Sequence, residues 1–439
     1  MRPAARLQAL VDALATIYTT PKPADSVLSA YFRNRRYIGS KDRAAIAESV
    51  YAALRHHARI GWWLQRVGLP EDARTSALCW YMLNGVRFEE LDVLCSGGEY
   101  APDKLNSDEK SRFAKLEGRS KEHPEMPEAV RLEVPEWAEE KLRERFGKRF
   151  EAEMVALLDA APLDLRVNTL KVDRDTAMRE LRAERIEVEP TPLSPLGLRV
   201  KGRPALAMTK AFKAGMIEIQ DEGSQMLAML MDAKPGDQVV DFCAGAGGKT
   251  LAIAAQMHNK GRIIACDVLE RRLERAAERF RRAGVHNIET RALTTERDPW
   301  VKRHKGKFDR VLVDAPCSGI GVWRRNPDAR WRVLGPGLGE LVKLQGEILN
   351  SAARLVKPGG RLVYATCSML AEENAQRVEI FLNNNPDFIL VPYGQDGGRY
   401  LELTPGQHNT DGFFGAVMVR KTEEAGAPEA DAAKDSEAA

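Results

Sequence analysis

In the stretch Asp237-Gln-Val-Val-Asp-Phe-Cys-Ala-Gly-Ala-Gly-Gly-Lys-Thr250, a short apolar run meets three closely spaced glycines and then an alanine-rich segment, Leu251 to Met257. Val239, Val240 and Phe242 read as a buried strand, and 251–257 reads as a helix. A strand that passes through glycines into a helix lets the backbone approach a ligand and aims the helix N-terminus at it. A tight structural turn would read the same way, so the ligand class must come from the spacing and from the next strand.

A phosphate-binding loop needs G-x-x-x-x-G-K-[ST], and Gly248-Lys249-Thr250 supplies only its end, because position 243 is Cys243. The dinucleotide pattern G-x-G-x-x-G fits at Gly245 and Gly247 but meets Thr250 at its third glycine. The adenosyl end of S-adenosylmethionine (SAM) asks instead for a glycine turn after the first strand and an acidic residue ending the second, placed to take the ribose hydroxyls. Arg262-Ile-Ile-Ala-Cys-Asp267 provides that strand and that carboxylate.

The chain has 439 residues, enough for two or three domains. Lys plus Arg number 66 against 63 Asp plus Glu, a net charge of only +3, so partners must be read from how charge is distributed. There is no apolar run long enough for a membrane span and no signal-like start. Six scattered cysteines lack a C-x-x-C pair. A disulfide framework or a metal site is therefore not expected, and a cytoplasmic, monomeric protein is.

Residues 3 to about 90 read as helical, with Leu7, Leu10, Val11, Leu14 and Ile17 at helical spacing and Ser40 as an N-cap. The neighbours His56 and His57 suit packing better than ligation. The basic run Arg33 to Arg36 suits either nucleic acid or a solvated helix end. Residues 97–127, polar and broken by Gly97, Gly98, Pro102, Pro124 and Pro127, read as a loose connector. Strands at 165–170, 186–189 and 198–201, with a helix capped by Asp173, form a small α+β module. From about 218 onward strand and helix alternate. Strands are expected at 238–242, 262–267, 286–290, 310–314, 360–365 and 415–420, which predicts a parallel sheet covered on both faces. The helix 270–282 carries six arginines, read as a solvated face. The divisions are 1–128 (helical, with connector), 129–217 (module), 218–422 (α/β domain) and 423–439 (an acidic, disordered tail).

Val311-Leu-Val-Asp314-Ala-Pro-Cys317-Ser-Gly319 and Val363-Tyr-Ala-Thr-Cys367-Ser368 each end a strand with a thiol, the first also with a carboxylate. Ligands of open parallel sheets bind beyond the carboxyl ends of the strands. Asp314, Cys317 and Cys367 are thus expected together beside the glycine turn, an arrangement suited to covalent attack on a polarised ring. Cys79, Cys95 and Cys266 read as inert buried thiols.

These motifs resemble the RsmB/Nop2/Sun family of RNA cytosine-C5 methyltransferases. The matching stretches are Cys243 to Thr250, Asp314 to Gly319, Arg325-Asn-Pro-Asp328, Ala365 to Asn374, Arg166-Val-Asn168, Gln220 to Gln225 and Asp411-Gly-Phe-Phe414. Lys41 to Trp63 resembles the NusB-like RNA-binding domain of the bacterial branch. The resemblance implies a Rossmann-like SAM-dependent methyltransferase domain, an all-α NusB-like domain, and ribosomal RNA as substrate, with transfer RNA as the alternative. It implies Cys367 as the thiol that adds to cytosine C6, Asp314 at the N3 edge, and Cys317 in the later loss of the C5 proton. SAM would lie on Cys243, Ala244, Gly245, Ala246, Gly247, Gly248, Lys249, Asp267 and Asp314. Arg324, Arg325, Arg330 and Arg332, with Trp323 and Trp331, would meet phosphates and bases. Two departures stand out. Ala246 replaces the usual proline, which should loosen the turn, and Arg291 to Glu296 holds no aspartate for the adenine amino group. The rival classes are a P-loop-like NTPase, which the Cys243 position breaks, and a non-catalytic RNA-assembly factor, which would not require Cys367.

Overall fold

The computed structural model describes residues 1–332, 334–394 and 398–422. The expected acidic tail at 423–439 lies outside them. Contacts group the chain into two compact units. One holds Met1–Ala161, Gly319–Gly337 and Thr404–Asp411; the other holds, of the described residues, Pro162–Ser318, Leu338–Leu403 and 412–422. This grouping differs from a division at 128 and 217. Segments far apart in sequence share one core, which no composition boundary marks.

The first unit is helical. Leu7, Leu10, Leu14 and Ile17 are fully buried on the helix Pro3–Thr19, and Ile46, Val50 and Leu54 on Ser40–Arg55 face the same core. Ser40 is the first helical residue rather than the cap, and Gly39 stands in the cap position. Residues 97–127 are not a loose connector. Asn106 and Glu109 form a capping box for the helix Ser107–Phe113, and Leu105, Phe113, Leu116 and Met126 are buried in the helical core. Few apolar residues occur there, but each is used, and the prolines and glycines only punctuate. His56 packs on Trp80 with ring centroids 5.0 Å apart and His57 on Trp331 at 5.1 Å, in keeping with packing roles.

The second unit holds two sheets. The smaller contains β1 (Leu163–Val167), β2 (Val188–Pro190), β3 (Gly197–Val200) and β4 (Ile217–Ile219), ordered β2-β3-β1-β4. Asp173 caps Arg174–Ala183 by accepting from the Thr176 amide, as expected. The larger contains β5 (Gln238–Asp241), β6 (Arg262–Asp267), β7 (Ile288–Ala292), β8 (Phe308–Asp314), β9 (Val356–Thr366), β10 (Phe388–Val391), β11 (Leu401–Leu403) and β12 (Phe413–Arg420). Its order is β10-β12-β9-β8-β5-β6-β7, with β11 also on β12. β7 to β9 are parallel through β5 and β6, while β12 runs antiparallel to β9. The order reverses between β5 and β8, the switch point at which a crevice opens beyond the strand ends. Among the described residues no helix is long and apolar enough to cross a membrane.

The two sheets are tied together through the arginine-rich helix Glu270–Ala283. Arg279 and Arg282 hold the buried Glu218 of β4 at 3.0 and 2.5 Å. Asn168 donates to Gly215 O and Ala283 O at 2.8 and 2.9 Å. A solvated face therefore describes Arg271, Arg272, Arg275 and Arg281, which are exposed, but not this pair.

Candidate active site

The turn after β5 is built from the sequence outward. Asp241, buried at the strand end, accepts from Thr250 Oγ1 at 2.7 Å, which pins the first turn of the helix Gly248–Gln256 to the strand. Burial pushes the Asp241 carboxyl up to about 7. Gly245 and Gly247 take φ of 55° and 77°, conformations that favour glycine. Their uses differ. A Cβ on Gly245 would meet nothing within 4 Å, whereas one on Gly247 would lie 2.5 Å from the Phe280 ring. Gly247 is thus a packing position, and it is absent from the wall of the adjoining cavity.

That cavity, of about 740 Å³, is lined by Cys243, Ala244, Gly245, Ala246, Gly248, Lys249, Asp267 and Asp314 among others. Eight of the nine residues expected around SAM therefore share one hollow. Asp267 accepts from the Gly245 amide at 3.0 Å and the Leu269 amide at 2.8 Å, which orients its carboxylate. Burial raises the Cys243 thiol well above its usual range, so it stays protonated. Arg279 Nη1 donates to Ala246 O at 2.6 Å, a brace on the turn where proline is missing. Leu293, Thr294 and Glu296 also line the cavity, as do Gln220 and Ile348. The segment after the third strand, 291–296, holds no aspartate for an adenine amino group, yet it walls this cavity. The wall there combines the apolar Leu293 with the hydroxyl-bearing Thr294 and the acidic Glu296 in place of an aspartate.

The residues fit an adenosyl sulfonium. Carboxylate, helix N-terminus and apolar walls converge on one hollow, as ribose, polar tail and purine require. Asp267→Ala should weaken SAM binding by about 1–3 kcal/mol, the scale of a hydrogen bond to a charged group. Calorimetry that returned wild-type affinity would remove Asp267 from the site.

Toward the other side of the switch point, Lys249 Nζ pairs with Asp314 Oδ2 at 2.7 Å. Burial alone would lower the Lys249 ammonium, but Asp314, with smaller contributions from Cys367 and Asp241, outweighs it and holds it raised. The Cys317 and Cys367 sulfurs lie 3.3 Å apart. The parallel register of β8 and β9, with Asp314 opposite Ala365, accounts for this meeting. Cys79, Cys95 and Cys266 are buried, and burial raises all three thiols.

The basic cluster expected to face RNA does not do so throughout. Arg330 is buried and donates to Glu133 O at 3.1 Å and Leu157 O at 3.2 Å. Arg324 is buried against Asp411, Arg325 pairs with the same carboxylate, and Arg332 holds Asp328 and the backbone at Thr20 and Lys22. Trp323 is fully buried. These cations are consumed inside the first unit by partners far away in sequence.

Comparison with known proteins places these observations among relatives. Residues 228–419 match the family model described as 16S rRNA methyltransferase RsmB/F, and residues 134–206 match its ferredoxin-like domain. The chain is 30% identical to the probable ribosomal RNA small subunit methyltransferase B of Bacillus subtilis, over 88% of this chain and 92% of that protein. It is 33% identical to ribosomal RNA small subunit methyltransferase B of Citrobacter koseri, over 65% of this chain and 66% of the relative. The crystal structure of PH0851 superposes with a TM-score of 0.78 at 28% identity, covering 95% of this chain and 99% of that one.

Proposed function

Because the chain belongs to the RsmB/F family of 16S rRNA methyltransferases, we propose that it methylates a cytosine of ribosomal RNA at C5 through a covalent Cys367 adduct. The observation that carries this reading is the pair of thiols 3.3 Å apart at the ends of β8 and β9, next to the Asp314–Lys249 pair. Methylation at a ring nitrogen or a hydroxyl needs no thiol, still less two. SAM is the cofactor, and it supplies an electrophilic methyl group when bound.

In this reading the protein's own groups do the following. The Cys367 thiolate adds to C6, and the S–C6 bond forms as N3 takes a proton at the Asp314 edge. C5 then carries enamine electron density and acquires the methyl. Cys317, as a thiolate, accepts the C5 proton, the C5–C6 double bond returns, the S–C6 bond breaks to free Cys367 as a thiolate, and N3 gives its proton back at the Asp314 edge. Lys249 keeps Asp314 oriented.

RNA capture is assigned to 1–128 and 129–217, with transfer in 218–422, and the protein acts as a cytoplasmic monomer. On the first unit, Arg33 and Arg36 line a hollow of about 620 Å³ together with Phe32 and Arg43. Arg33 and Arg36 are exposed, which suits phosphate contact. Replacing both by glutamate should weaken RNA binding and lower the slope of log affinity against log salt by up to about 2 units. Filter binding at several salt concentrations reads this, and an unchanged slope removes the pair from the interface. The function itself is tested by mapping 5-methylcytosine in ribosomal and transfer RNA from cells with and without the protein. Loss of one ribosomal 5-methylcytosine is expected; an unchanged ribosomal map contradicts the assignment.

A further inference from the structure

One buried carboxylate joins the two thiol-bearing loops. Glu373 is fully buried. It accepts from the Ser318 amide at 2.8 Å, Ser318 Oγ at 2.6 Å, Gln345 Nε2 at 2.9 Å and Ser368 Oγ. Ser318 follows Cys317 in the chain and Ser368 follows Cys367. The preceding residues are fixed as well. Gln345 Nε2 also donates to Pro316 O at 3.0 Å, and Thr366 Oγ1 donates to Asn374 Oδ1 at 2.6 Å. Asn374 Nδ2 returns to Ser368 O at 2.9 Å, and Tyr364 OH donates to the Glu373 carbonyl at 2.7 Å.

A carboxylate removed from water is costly unless its lone pairs are filled. Here four donors fill them, three of them from the two serines that adjoin the thiols. If its only task were to stabilise the core, apolar packing of the same volume would serve as well. What a carboxylate adds is direction: it accepts from both loops at once and fixes their separation.

We propose that Glu373 is a positioning residue that holds Cys317 and Cys367 at the separation needed to address neighbouring ring atoms of one base. This deepens the proposed C5 reading and rests on it for the identity of those atoms. Loss of the clamp lets each loop relax alone. Attack at C6 and proton removal at C5 then no longer share one geometry, while the SAM hollow, built on the glycine turn and Asp267, stays intact.

The test uses the full-length protein and phenylarsine oxide, a trivalent arsenical that binds tightly only where two thiols can reach one arsenic atom. Wild type should bind one equivalent, and Cys317→Ala and Cys367→Ala should each lose tight binding. Glu373→Ala should bind the arsenical at least about ten-fold more weakly, because the effective concentration of the second thiol falls. Its kcat should drop about 100-fold through misplacement, with KM for SAM unchanged. If Glu373→Ala does not fold, the double variant Ser318→Ala/Ser368→Ala, which keeps the carboxylate and removes its side-chain links to both loops, should show the same weakening. A folded Glu373→Ala protein, or that double variant, with wild-type arsenical affinity overturns the proposal. So does a folded Glu373→Ala protein with wild-type kcat. Arsenical binding involves no cytosine chemistry. Failure of the C5 reading would appear separately, as absence of any covalent RNA complex in Cys317→Ala.

Discussion

Cys367→Ala should lose methyl transfer by at least about four orders of magnitude, the scale on which removal of a covalent nucleophile is felt. It should also give no protein–RNA complex that survives denaturation. Cys317→Ala should behave differently in kind. Its nucleophile is intact, so the S–C6 bond can form and the methyl can be acquired, but the C5 proton is not removed and the adduct accumulates. A denaturing gel of each variant with RNA and SAM reads both outcomes. The opposite assignment places the nucleophile in Pro316-Cys317 and predicts a surviving band with Cys367→Ala and none with Cys317→Ala. The 3.3 Å separation makes both assignments sterically open, since either sulfur reaches the same place. The chemistry of the variants therefore separates them where the geometry does not.

The second large effect is expected at Asp314. Asp314→Asn preserves size and can still hydrogen-bond a ring nitrogen, but it cannot exchange a proton with it. The kcat should fall by roughly 10²–10⁴, the usual contribution of a general acid or base, with KM for RNA little changed. The substitution also removes the carboxylate that does most to raise the half-buried Lys249, so the ammonium should titrate at lower pH than in the wild type. Lys249→Ala should instead leave Asp314 in place but unoriented, with a smaller loss. Steady-state rates of the two variants distinguish proton exchange from orientation. Equal losses would assign Asp314 a positioning role only.

The glycine turn, the ends of β6, β8 and β9, and the convergence of Asp314, Cys317 and Cys367 were legible because each depends on local pattern plus one topological rule. A parallel sheet puts strand ends on one edge, and the residues after those strands follow. Other features depend on contacts between distant segments. Arg330 reads as an RNA-binding cation until Glu133 and Leu157 are seen to hold it, nearly two hundred residues away. Glu373 reads as part of a polar stretch until its carboxylate is found between Ser318 and Ser368. The run 97–127 looked unstructured because its four buried apolar residues are spread thinly. β10 and β11, of four and three residues, are too short to display alternation and owe their existence to pairing with β12.

The proposed chemistry makes one demand that no other site of methylation shares: the hydrogen at cytosine C5 must leave when the methyl arrives. RNA transcribed with cytosine tritiated at C5, incubated with the protein and SAM, measures this directly. One tritium released to water for each methyl transferred is the predicted result, with neither event in Cys367→Ala. Methyl transfer with the label retained in the RNA would contradict it.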